Sequence, residues 1–142
     1  MIEFEWDDEE ELLDEPIGVK PFDFWAVLSA QLLALPEHHL TCAGFTEDNL
    51  LFALGMLWEH EVYTPIIVMN PFRIKDLIGC TNLQMRTPSL WVGTHRGKFR
   101  STFEGRILDC DVHADPHIRR DVIIITDLER DPVQSTSVIC IV

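Results

Sequence analysis

Six residues within nine positions, Asp109, Cys110, Asp111, His113, Asp115 and His117, form the densest set of chemistry-bearing side chains in the sequence. Carboxylates mixed with imidazoles hold zinc or manganese and activate water through it, so Asp109, Asp111, His113 and His117 suit a metal-assisted hydrolase. The local sequence favours a structural reading of the same residues. On a strand Asp109 and Asp111 share one face, and ADPH has the make-up of a solvated turn between two apolar strands. His113 and His117 meet only on a helix, which Pro116 opposes. A second possible ligand set, His38, His39 and Cys42, lacks the paired spacing that tetrahedral zinc requires. No G-x-S-x-G, HExxH or glycine-rich phosphate loop is present. The expectation is no catalytic residue, no metal and no cofactor, with function carried by surfaces.

The elements that would position these residues are legible in outline. DFWAVLSAQLLAL reads as a helix, with Asp23 placed to accept from its first free amides and Pro36 ending it. Its apolar residues wrap most of the circumference, so it needs cover on more than one side, by the core in preference to a partner. Thr46 to His60 reads as a second helix, with Leu50, Leu51, Leu54, Leu57 and Trp58 on one face as core. PEHHLTCAGF joins the two. YTPIIVMNPFRIKDL reads as a buried strand, a turn at Asn70-Pro71 and a short helix over Phe72 to Ile78. Cys80 to Ser89 reads as irregular. LWVG, GKFRSTF, GRILDCDV and DVIIITDL are candidate strands, and the alternating run STSVICIV must pair with a sheet. The class is α+β: two N-terminal helices and a short third helix packed on a mixed or antiparallel sheet.

Charge divides the chain unevenly. The net charge is −13, yet residues 1 to 15 hold nine of the 24 acids and no base, so most of the imbalance lies in one segment. Residues 1–21 read as an acidic N-terminal arm and 22–142 as a single domain, long enough to bury its own core. Within the arm Phe4 and Trp6 accompany Asp7, Asp8, Glu9, Glu10 and Glu11, which suits docking on a basic surface of this or a neighbouring subunit. The basic counterpart is Arg86, Arg96, Lys98, Arg100 and Arg106. Alternation in KFRSTFEGR puts Lys98 and Arg100 on one strand face. Those twelve residues are the expected subunit contacts. Five bases on a strongly acidic chain argue against direct binding of nucleic acid. The acidic start excludes a secretory signal, and no apolar run is long enough to span a membrane. Cys42, Cys80, Cys110 and Cys140, far apart and without a C-x-x-C pair, read as reduced thiols.

The order of TEDNLLFALGMLWEH, YTPIIVMNP, FRIKDL and GRILDCDVHADPHIRRDVIIITDL, spanning residues 46–128, resembles the C-terminal subdomain of tailed-phage major capsid proteins and encapsulins of the HK97 type. Met69-Asn70-Pro71, Leu77, Gly105, Val112 and Val122 to Asp127 are the matching positions. Such shell proteins are about twice this length and carry an extended loop and a long spine helix, which residues 1–45 are too short to supply. The resemblance implies a virion or virus-like-particle structural protein, a capsid or head accessory component. Its partners would be itself or other virion proteins in an oligomer or particle, assembled in the host cytoplasm and located in the virion, or cytoplasmic otherwise. It transfers no active-site residue. A small acidic protein that occupies a basic partner surface is the alternative from another class, and the metal hydrolase is a third.

Overall fold

A computed structural model describes residues 23–77, 80, 83–85 and 103–142. In chain order the regular elements are α1 (Phe24–Leu33), β1 (His39–Cys42), α2 (Glu47–Trp58), β2 (Ile66–Met69), β3 (Leu83–Met85), β4 (Phe103–Ile107), β5 (Cys110–Ala114), β6 (Val122–Thr126) and β7 (Thr136–Ile141), with 3-10 turns at Pro36–His38 and Pro71–Leu77. The strands form one mixed sheet in the order β1-β7-β6-β2-β5-β4-β3. The fold is α+β, as the sequence predicts.

β2 is the middle strand, and IIVM suits that place because β-branched side chains pack well on both faces of a pleat. It pairs antiparallel with β6 and parallel with β5. All four of its side chains are buried. Each contributes roughly 1.5–3 kcal/mol through burial. Strand alternation sends them to two separate cores. Ile67 and Met69 join Ile123, Ile125, Ile139 and Ile141 beneath α2, whereas Ile66 and Val68 join Val122, Ile124 and Val138 beneath α1. The two long helices therefore lie on opposite faces of the sheet.

Both helices begin where their caps predict. The Asp23 carboxylate accepts from the amides of Trp25 at 3.0 Å and Ala26 at 3.2 Å. Thr46 Oγ1 accepts from Asn49 N at 3.2 Å, and Glu47 and Asp48 in the first turn of α2 complement its dipole. α2 buries Leu50, Ala53, Leu54 and Leu57. Leu51 and Trp58, expected in that core, lie on the exposed side instead, because 3.6 residues per turn carries them off the stripe of the other four.

Three local expectations change. PEHHLTCAGF is more than a connection, since His39–Cys42 forms an edge strand running parallel to β7. Part of the stretch read as irregular, Leu83–Met85, pairs antiparallel with β4. GRILDCDV is not one strand: Leu108 and Asp109 take φ of 53° and 66°, the pattern of a tight hairpin turn with both central residues left-handed, and the chain reverses from β4 into β5. The later turn, from Ala114 to Val122, is tied to β2 by Asn70. Its Oδ1 accepts from Phe72 N at 2.8 Å, and its Nδ2 donates to the carbonyls of Ile118 at 2.8 Å and Pro116 at 3.3 Å. The run STSVICIV pairs on both sides, with β6 and with β1.

Candidate interaction surface

The Asp/His cluster is dispersed by the fold. Asp109 sits in the β4–β5 turn, so it does not share a strand face with Asp111. Asp111 and His113 are buried on β5. Burial holds His113 down to about 4, from an ordinary 6.5, with the Asp111 carboxylate opposing the shift. His117 stands outside on the following turn, where its Nδ1 lies 2.9 Å from Asp115 Oδ1. Among the described residues no three His, Cys, Asp or Glu side chains converge to hold a metal ion. His38 and His39 likewise diverge. His38 is buried, its Nδ1 donating to the Thr136 carbonyl at 3.1 Å, while His39 faces solvent. The four cysteines are free thiols. Desolvation raises Cys80, with Glu47 adding to the effect, which keeps that thiol protonated.

Of the twelve expected contact residues, Phe4, Trp6, Asp7, Asp8, Glu9, Glu10, Glu11, Arg86, Arg96, Lys98 and Arg100 lie outside the described residues. Arg106 lies inside them, on β4. Its Nε donates to Asp111 Oδ1 at 2.6 Å, across a β4–β5 register that sets the two residues opposite each other. Arg106 thus supplies the charge partner of a buried carboxylate.

A different cationic cluster emerges from two loops far apart in sequence. Phe72, on the 3-10 turn after β2, has the Lys75 ammonium 3.9 Å and the Arg120 guanidinium 4.8 Å from its ring centre, with Arg73 at 5.8 Å. Arg73 Nε donates to the Arg120 carbonyl at 2.6 Å, which with Asn70 fastens the two loops together. Sequence reasoning missed this site because its parts come from segments 70–77 and 115–121, which the parallel pairing of β2 with β5 brings side by side.

Apolar side chains also reach solvent from both outer layers. On α1, Trp25 is 73% exposed, Leu32 85% and Leu33 51%, while on α2 Phe52 is 61% exposed. A helix apolar all round is covered by the domain on one side only. An open cleft of about 300 Å³ lies elsewhere, lined by His60, Val62, Arg130, Asp131, Gln134 and Ser135. It shares no residue with the cationic cluster. Among the described residues no helix is long and apolar enough to cross a membrane. Comparison with protein-family models, curated proteins and solved structures finds no match to this chain.

Proposed function

We propose that the protein is a structural component of a virus particle or virus-like particle, a capsid or head accessory subunit, and that it acts through contacts between copies of itself. The observation that carries this reading is the uncovered apolar surface on both outer layers: Trp25, Leu32 and Leu33 on α1, and Phe52 with Trp58 on α2. Large apolar side chains grouped in this way mark association surfaces. Two different patches on opposite faces of one sheet suit head-to-tail contacts, which generate rings or extended arrays where a single self-complementary patch would stop at a dimer. The order of helix, strand, Asn70-Pro71 turn and short helix adds the capsid-like resemblance.

Light scattering after size exclusion, followed by electron microscopy of the largest species, tests the reading. The unmodified chain is expected to form multimers. Leu32→Glu and Phe52→Glu should each reduce the mass toward the single chain while leaving the thermal midpoint of the fold unchanged, since both side chains are mostly exposed. A single chain at every concentration, with no particle in the microscope, overturns it.

The acidic segment supports a second reading, a binding protein that occupies a basic partner through residues 3–15, where nine carboxylates meet no base. Neutralising those carboxylates would then abolish capture of the basic partner while leaving self-association intact.

A further inference from the structure

Six Lys or Arg residues lie within the described part of the chain, and their pairing is uneven. Four have a carboxylate: Arg73 with Asp76 at 2.8 Å, Arg106 with Asp111 at 2.6 Å, Arg119 with Asp121 at 2.9 Å and Arg130 with Asp127 at 3.5 Å. Lys75 and Arg120 have none among the described residues, and these two share one aromatic ring, that of Phe72. Because both lie so close to the same ring centre, they are nearer each other than the ~10 Å screening length of 0.1 M salt. Two like charges held at that range repel, and the ring quadrupole offsets this only in part. A bound anion would reverse the sign of the interaction. The platform is fixed in advance, because Asn70 and Arg73 tie its two loops together through hydrogen bonds of 2.6 to 3.3 Å.

We infer that the Phe72–Lys75–Arg120 platform is the docking site for the acidic segment of residues 3–15 of the same chain. Charge complementarity is the first argument: residues 3–15 carry nine carboxylates and no base, opposite in sign to Lys75 and Arg120, which have no carboxylate partner among the described residues. Position is the second. The Phe24 ring, at the start of α1, lies 5.4 Å from the ring of His117, on the loop that carries Arg119 and Arg120. The chain therefore enters its first helix beside the loop that carries Arg120. The residues between Glu15 and Asp23 can span up to about 25 Å when extended. A tether of that length holds the acidic segment at an effective concentration on the order of millimolar, so individually weak contacts suffice. Phe4 and Trp6 add aromatic faces on which a guanidinium stacks.

Cleavage of the full chain by a glutamyl endopeptidase at Glu9 to Glu11 reads this contact directly, with the free peptide of residues 1–22 cut in parallel to normalise for salt effects on the protease. At low salt the tethered segment should be cut about tenfold more slowly than the peptide, and the difference should vanish at high salt. Lys75→Glu combined with Arg120→Glu should bring cleavage to the peptide rate at every salt concentration. Lys75→Arg with Arg120→Lys should retain protection. Both positions are exposed, and an unchanged thermal midpoint confirms that the fold survives. Cleavage at the peptide rate in the unmodified chain overturns the inference. So does protection that disappears on dilution, which assigns the segment to a neighbouring copy. The first outcome is independent of whether the chain forms particles and the second requires association between copies, so failure here is separable from failure of the assembly reading.

Discussion

Lowering the pH from 6.5 toward 4 protonates His113 in the unfolded chain while leaving it neutral in the folded one. The cause is burial: His113 is fully enclosed on β5, and desolvation there outweighs the favourable field of Asp111. A base whose folded value is depressed below its unfolded value contributes full stability above the unfolded value. That stability falls as the pH drops, because the unfolded state then binds the extra proton. With values of 6.5 and about 4, the loss is about 2 kcal/mol at pH 5 and about 3 kcal/mol at pH 4, with little more below that. Against a folding stability on the order of 5–15 kcal/mol, this is a large share. Urea unfolding across the pH range measures it, provided other titrating groups are cancelled by comparison. His113→Gln keeps a polar side chain and removes the titration, so subtracting its profile from the unmodified one isolates His113. The difference should grow by about 3 kcal/mol between pH 7 and pH 4. Parallel profiles would show that His113 is not buried in the neutral form, and the reasoning would fail.

Two smaller perturbations test how local chemistry fixes the elements. Asp23→Ala removes the acceptor for two amides at the start of α1 and should cost about 1 kcal/mol in urea unfolding at neutral pH. Arg106→Ala removes the charged partner of the buried Asp111 and should cost about 2 kcal/mol. Arg106→Lys should recover only part of that, since a flexible ammonium does not reproduce the guanidinium geometry.

Features written in a few adjacent residues were legible in the sequence. Asp23 and Thr46 cap where their side chains allow, IIVM is buried on both faces, and Asn70-Pro71 turns the chain into a short helix. The hairpin at Leu108-Asp109 was hidden because its left-handed turn carries neither glycine nor asparagine, the residues that normally announce one. The placing of α1 and α2 on opposite faces was hidden for another reason. An all-round apolar helix does not state which side meets the sheet, and the strands α1 packs on come from residues 66–69, 122–126 and 136–141, remote from it in the chain. The ligand-like spacing from Asp109 to His117 was visible, but spacing along a chain is not proximity in space. A turn, a strand and a loop carry those side chains in different directions.

β7 separates β1 from β6 in the sheet, although Val138 of β7 and its partner His39 of β1 are far apart in the chain. As the ribosome delivers the polypeptide from its N-terminal side, β1 and β6 therefore both emerge before the strand that must stand between them. Until β7 is released, β1 has no neighbour within the sheet and β6 offers an open hydrogen-bonding edge. A nascent chain in that condition is a template for β pairing with another copy, and non-local closure of this kind is slow. Correct closure of the sheet is thus a matter of timing during synthesis as well as of contacts in the finished fold.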